Sequence, residues 1–252
     1  MSRGALGCRP NSDTRNARYR VTGISTPRTV RWSRYIPVID QVDVGSCVGQ
    51  AYAGALGSHP LWSSVPEKIK STLRSVPRAY GEGIYSAATA IDPYEGTWPP
   101  DDTGTDTRSG AQVLLSRKLI TRYEWIENDG DPAATVRSIV GALAERPVVI
   151  GIPWLDSFDW PDKDGLIRIT VGATVRGGHA LIVDECNVTT GEIGITNSWG
   201  PSWGVEGRCY MTWETLAEVL SMWGDACVPI YVAPGSESAS RSWWRRILDW
   251  LW

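Results

Sequence analysis

The sequence predicts an α+β fold of two lobes, because a helical first half precedes a strand-rich second half. Its 252 residues are 42% hydrophobic, which is enough to bury a large core. Helices are predicted at 47–56, 67–75, 78–91, 108–119 and 133–145. After Arg146-Pro147, apolar stretches separated by turn residues predict strands at 148–154, 166–175, 180–186, 192–199 and 207–213. An antiparallel β second lobe is therefore expected to follow the helical first lobe.

The composition along the chain suggests four parts. Residues 1–30 are polar and Arg-rich, and we expect them to form an arm on the surface. The folded domain is expected at 31–233, with a helical lobe at about 38–135 and a β-rich lobe at about 136–233. The segment 234–240 (PGSESAS) has the composition of a flexible linker. Residues 241–252 form a Trp-rich tail that would be amphipathic as a helix.

Charge and cysteine content exclude several classes of protein. A formal net charge of −3 gives no sign of nucleic-acid binding. No apolar run approaches the length of a membrane-spanning helix, and the N-terminus lacks the apolar core of a signal peptide. Five cysteines are too few for a disulfide-stapled scaffold of this size. We therefore expect a cytoplasmic or virion-associated protein with reduced thiols.

Cys47 is the first candidate for a catalytic residue. It follows Gly45-Ser46 at the predicted start of the helix CVGQAYAGAL. A helix N-terminus carries partial positive charge, which favours the thiolate that acts as a nucleophile. A buried structural cysteine is the alternative interpretation. Of the two histidines, His179 lies between Gly177-Gly178 and a predicted strand, whereas His59 lies in a Gly/Pro loop.

Asn197 could complete a set of three. It ends the next predicted strand, and its amide can hold the imidazole of His179 toward the thiol. His179 and Asn197 lie 132 and 150 positions beyond Cys47, which is the spacing of papain-type enzymes.

Three segments make the chain resemble the papain and cathepsin family of cysteine peptidases. They are DQVDVGSCVGQAYA (40–53), GGHALIVDE (177–185) and ITNSWGPSWGVEGRCYM (195–211). The resemblance extends from about residue 30 to 233 and is strongest to bacterial and viral members that lack a long propeptide. It implies a two-lobed papain-like fold and a catalytic triad of Cys47, His179 and Asn197. It implies no metal and no cofactor.

The same resemblance gives roles to three further residues. Gln41 corresponds to the glutamine whose amide helps to form the oxyanion hole. Trp199 corresponds to the tryptophan that covers the Asn–His hydrogen bond. Gly110 corresponds to the glycine whose backbone pairs with the substrate. The stretch 219–223 holds no acidic residue, which favours an apolar specificity subsite, although Glu218 and Asp225 lie just outside it.

These observations predict a cysteine peptidase that hydrolyses peptide bonds through a thioester acyl-enzyme. Two alternatives remain: a cell-wall amide hydrolase that uses the same chemistry, and a structural or assembly protein that keeps the fold. The expected partner is a polypeptide or peptide-containing substrate. The tail could dock on the protein's own surface, on a partner protein or larger assembly, or less favourably on a membrane surface.

Overall fold

The computed structural model describes residues 4–11, 14–21, 25–128 and 130–233. The predicted linker and Trp-rich tail lie outside the described residues. Six α-helices lie within them: α1 (Cys47–Leu56), α2 (Glu67–Ser75), α3 (Pro77–Thr89), α4 (Thr107–Ser116), α5 (Pro132–Leu143) and α6 (Trp213–Met222). The seven strands are β1 (Val30–Arg31), β2 (Arg122–Glu127), β3 (Val148–Leu155), β4 (Val175–Asn187), β5 (Glu192–Thr196), β6 (Arg208–Thr212) and β7 (Asp225–Ile230). The prediction of an α+β fold is confirmed.

Helix α1 is the centre of the first half of the chain. All ten of its residues are buried, and its small side chains allow other helices to approach closely. Gly49 on α1 packs against the backbone of α3 at Gly81. A Cβ at Gly49 would collide with the Gly81 carbonyl oxygen, so a larger side chain would push the two helices apart. Helix α4 begins at an Asp106 cap, whose carboxylate accepts a hydrogen bond from the Ser109 amide. The result is a helical layer with Cys47 at the buried start of α1.

The second half of the chain is built on one sheet, in which every strand pair is antiparallel. Its strand order is β2-β7-β3-β4-β5-β6, and β1 pairs with β4. Strand β3 is buried along its whole length because the sheet lies between two cores. One core holds α1, α3 and α4, and the other holds α5 and α6. Trp125 and Ile126, consecutive on β2, belong to different cores, as the alternation of a strand requires.

The predicted strand at 166–175 is wrong. Only Leu166 forms an isolated bridge, to Tyr210, and Val175 begins β4. Val171 is fully exposed in a turn at Gly172, whose φ is +81°. The Asp156 carboxylate accepts hydrogen bonds from the amide and hydroxyl of Thr174 and holds this loop against β3. Apolar alternation therefore occurs here without a partner strand. The sequence patterns also missed β2, β7 and α6.

Among the described residues, no helix combines the length and the apolar character needed to cross a membrane.

Candidate active site

Cys47 is the first residue of α1 and is completely buried. Its Sγ accepts a hydrogen bond from the Ala180 amide at 3.4 Å. Because Ala180 follows His179 on β4, this bond brings the start of α1 against the strand that carries the histidine. The helix and the sheet thus meet at the sulfur atom, as the predicted site requires.

His179 and Asn197 form a direct hydrogen bond. The distance between Nε2 of His179 and Oδ1 of Asn197 is 2.8 Å, and both residues are buried. Asn197 lies just beyond the end of β5, and its Oδ1 also accepts from the Ser198 amide at 2.7 Å. The Nδ1 of His179 makes no hydrogen bond to any described residue. That nitrogen is therefore the one available to exchange a proton with a neighbouring group.

Two tryptophan side chains enclose the imidazole. Trp199 stacks on His179, with ring centroids 4.9 Å apart and an interplanar angle of 26°. Trp154, on the neighbouring strand β3, makes a T-shaped contact with both rings. Its ring centroid lies 5.0 Å from that of His179 and 5.1 Å from that of Trp199. Trp199, one of the predicted site residues, thus covers one face of the imidazole. Trp154 was not predicted to belong to the site. Its strand gives a reason to expect it there, because Ile152, two residues before Trp154, pairs in register with His179.

Gln41 lies in the loop that leads to α1 and is completely buried. Its Oε1 accepts from the Ser198 hydroxyl at 2.5 Å, so the side chain is fixed against the residue that follows Asn197. Its Nε2 donates to the carbonyls of Val44 and Ala5, at 2.8 and 3.3 Å. The next residue, Val42, has a φ of +56°, which is unfavourable for a β-branched residue. The turn after Gln41 is therefore strained, and the bond to the Val44 carbonyl holds the Gln41 amide beside it.

The role predicted for Gly110 is wrong. Gly110 lies inside α4, where an added Cβ would come within 2.5 Å of the Tyr52 ring. It is glycine because α1 and α4 pack closely there. The residue whose backbone pairs with an extended chain is Thr105, in the loop before α4. Its signal in the sequence, the dipeptide Gly104-Thr105 just before a capped helix, is too weak to have been found.

The predicted surface arm is only partly on the surface, because residues 4–11 lie between the two halves of the molecule. The Ala5 carbonyl accepts from Gln41 Nε2 and Trp199 Nε1, both at 3.3 Å. Two residues further along, the Gly7 amide lies near enough to Cys47 Sγ to lower the pKa of that thiol. A part of the chain without helical or strand periodicity therefore contacts the predicted nucleophile and the predicted oxyanion donor.

Backbone hydrogen bonds continue beyond Cys47. The Thr105 amide donates to the Gly7 carbonyl at 2.9 Å, and the Arg9 amide donates to the Thr105 carbonyl at 2.9 Å. Between them, the Cys8 amide donates to the Gly178 carbonyl at 3.0 Å. Cys8 thereby forms a parallel bridge with Thr105 and is only 5% exposed. We call residues 4–11 the cleft segment and the groove that they occupy the cleft.

Glycines allow the cleft segment to lie this deep. A Cβ at Gly7 would collide with the carbonyl oxygen of Gly45, and a Cβ at Gly4 would collide with the Trp199 ring. No other residue type fits at either position without moving the segment or its neighbours. The close approach also keeps water away from Cys47.

Burial sets the protonation state of the pair. It raises the pKa of Cys47 to about 11, against the opposing effect of backbone amides, among them those of Ala180 and Gly7. Burial also lowers the pKa of His179 to about 4, against the hydrogen bond that its Nε2 donates to Asn197 Oδ1, and the nearby Arg176 lowers it further. With the cleft segment in place, thiol and imidazole are both neutral at pH 7. The expected thiolate does not form in this state because the site is closed to water.

The chain is similar to known proteins in its structure and not in its sequence. Neither a family model nor a curated protein matches its sequence. Its structure is similar to that of xylellain, a cysteine protease from Xylella fastidiosa, with a TM-score of 0.64 and 19% identity over 92% of this chain and 97% of that one. The chain has the papain-like fold.

Two further solved structures share this papain-like fold. One is digestive procathepsin L 3 of the Tenebrio molitor larval midgut, with a TM-score of 0.56 and 16% identity over 90% of this chain and 76% of that one. The other is a recombinant stem bromelain precursor, with a TM-score of 0.50 and 13% identity over 91% of this chain and 77% of that one. At such low identities the papain-like fold is what is shared.

Proposed function

We propose that this chain is a cysteine-type peptidase that hydrolyses peptide bonds through a thioester on Cys47. The observation that carries the proposal is that an extended peptide lies against the Cys47 sulfur with a carbonyl group on the Gln41 amide. A groove that holds a peptide backbone next to a thiol, an imidazole and an amide donor suits peptide hydrolysis.

The first half of the reaction uses the free nitrogen of His179. The Cys47 thiol gives its proton to Nδ1, and the sulfur attacks the substrate carbonyl carbon. Negative charge then develops on the carbonyl oxygen, where the Gln41 amide and the backbone amide of Cys47 donate hydrogen bonds. The protonated imidazole, held by Asn197, gives its proton to the amine as the C–N bond breaks. The acyl group remains on sulfur as a thioester.

Water completes the cycle. His179 takes a proton from water, which attacks the thioester carbonyl. The C–S bond breaks, the carboxylic acid leaves, and the proton returns from His179 to sulfur. The Trp199 ring, stacked on the imidazole, keeps other water away from the His179–Asn197 hydrogen bond.

The cleft segment itself is not positioned as a substrate. It presents the Gly7 N–H group to the Cys47 sulfur, whereas a substrate must present a carbonyl carbon. The described arrangement is therefore a closed form, and the segment must leave before a substrate can bind. Full-length variants that displace it, such as Gly7→Val, are the proteins to assay.

The test is hydrolysis of denatured casein and of purified peptidoglycan by the Gly7→Val chain. We expect casein fragments, lost completely when Cys47→Ala is added. Cys186→Ala is the matched control, because this buried cysteine lies at the far end of β4 and should change nothing. Cleavage of peptidoglycan alone would favour the cell-wall amide hydrolase. If neither substrate is cleaved, the structural or assembly role is favoured.

A further inference from the structure

The cleft segment places its Cys8 side chain in a pocket beside Gly151 of β3. A Cβ at Gly151 would lie 2.9 Å from the Cys8 sulfur, 3.1 Å from the Thr107 methyl group and 3.2 Å from Oδ1 of Asp225. These three groups therefore converge on one small volume that the missing side chain leaves open. Asp225, the first residue of β7, lies beside Cys8 and is only 5% exposed.

The cleft segment supplies part of what stabilises the Asp225 carboxylate. One hydrogen bond comes from the Thr107 hydroxyl at 2.6 Å, and the backbone amide of Asn11, in the segment, also favours the charged form of Asp225. Burial raises the pKa of Asp225 to about 7, and the nearby Asp106 carboxylate acts in the same direction. When the segment leaves, Asp225 loses the Asn11 donor and faces the opened pocket. A carboxylate in such a place requires a new donor.

The next residue of the segment indicates which kind of donor this end of the cleft accepts. The Arg9 guanidinium lies 4.4 Å above the centre of the Tyr94 ring. Burial raises the pKa of Asp92, and the positive charge of Arg9 opposes that shift, so the two groups are within electrostatic reach. A basic side chain of the protein itself thus occupies an aromatic and acidic surface next to the Cys8 pocket.

We propose that this enzyme selects substrates with a lysine or arginine side chain in the Cys8 pocket, where Asp225 binds the cation. This inference rests on the proposed peptidase function and defines its substrate class. A cationic side chain replaces the donor lost with Asn11, whereas an apolar one leaves the buried carboxylate with the Thr107 hydroxyl as its side-chain donor. The sequence favoured an apolar subsite from residues 219–223. Val219 lies on α6 and is completely buried in the core, whereas Trp223 lies against Gly178 beside Cys8.

The experiment uses the full-length Gly7→Val chain and peptides with lysine, norleucine or glutamate at each of three positions on either side of the scissile bond. At one position, kcat/KM for lysine should exceed that for norleucine by on the order of 10- to 100-fold. Asp225→Asn should abolish this preference by lowering the rate for lysine to that for norleucine. Asp164→Asn is the matched control, because that exposed carboxylate pairs with Lys163. It should keep the preference.

Equal or lower rates for lysine at every position would overturn the proposal, as would a preference that survives Asp225→Asn. The comparison of lysine with norleucine in the parent chain decides the matter even if Asp225→Asn fails to fold. Binding of the same peptides to the Cys47→Ala, Gly7→Val chain is measured in parallel. If this chain binds lysine peptides more tightly but the Gly7→Val chain does not hydrolyse them, the pocket is supported and the peptidase function is contradicted. The two failures are therefore distinguishable.

Discussion

Replacing Gly7 with valine is expected to raise the rate at which iodoacetamide alkylates Cys47 by on the order of 10² near neutral pH. Valine cannot fit against the Gly45 carbonyl, so the cleft segment must leave. Water then reaches the sulfur, and the pKa of Cys47 falls from about 11 toward its ordinary value of 9.0 or below. Each unit of decrease gives about ten times more thiolate at a pH below both values.

The measurement is the alkylation rate of Cys47 as a function of pH, with the modified residue assigned by peptide mapping. Because only the thiolate reacts, the midpoint of the profile should lie near pH 11 in the unmodified chain and at lower pH in the variant. Gly83→Ala is the control, since this helical glycine has no neighbour within 4 Å of an added Cβ. Gly4→Val, which would clash with Trp199, should act in the same way as Gly7→Val. Identical pH profiles for all four proteins would show that the segment does not protect the thiol.

Removing the Gln41 side chain is expected to have the second large effect. In the Gly7→Val background, Gln41→Ala should lower kcat/KM for peptide hydrolysis by on the order of 10²–10³. The reason is that the Gln41 amide, now on the Ala5 carbonyl, is the side-chain donor placed to bind the charged oxygen of the transition state. The measurement is steady-state hydrolysis of a peptide that the parent variant cleaves.

Alkylation of Cys47 is the internal control for Gln41→Ala. Attack on iodoacetamide occurs at a saturated carbon and creates no oxyanion, so its rate should stay within a few-fold. Gln41 also contacts Val44 and Ser198, and a general collapse of the loop would lower both rates together. Equal loss of hydrolysis and alkylation would therefore contradict the oxyanion role and indicate a structural one.

Much of the candidate site could be predicted because its residues lie in short, distinctive segments. Cys47 at a helix start and His179 after two glycines are local features, and the fold brings them together through the Ala180 amide. His179 lies inside β4, although the pattern placed it just before a strand. Asn197 was predicted in the same way. The helix α2 was predicted with its observed bounds, since a polar helix with a few apolar positions on one face has a clear period.

The cleft segment could not be predicted, because the hydrogen bonds that fix it are made mainly by its backbone atoms. Hydrogen bonds of Ala5, Gly7 and Cys8 through amide and carbonyl groups leave no pattern of side chains in the sequence. Its glycines suggest flexibility when read alone, and the close contacts that explain them depend on Gly45 and Trp199. The neutral state of Cys47 follows from this same burial and was missed for the same reason.

Gly110 and the strand at 166–175 were predicted wrongly for a different reason. In both, a local pattern has two structural explanations, and tertiary packing selects the one that was not chosen. A glycine can accommodate a substrate backbone or a neighbouring helix, and the Tyr52 ring decides in favour of the helix at Gly110. Apolar alternation can mark a strand or a loop, and the exposed Val171 belongs to a loop.

The most direct measurement of the central claim is the mass of the acyl-enzyme. The Gly7→Val chain is mixed with a peptide ester, quenched in acid within the first turnover, and analysed by intact mass and peptide mapping. The proposed chemistry predicts one added acyl group, located on Cys47 and released by hydroxylamine. Turnover of the ester without acylation of Cys47, or an acyl group on any other residue, would contradict it.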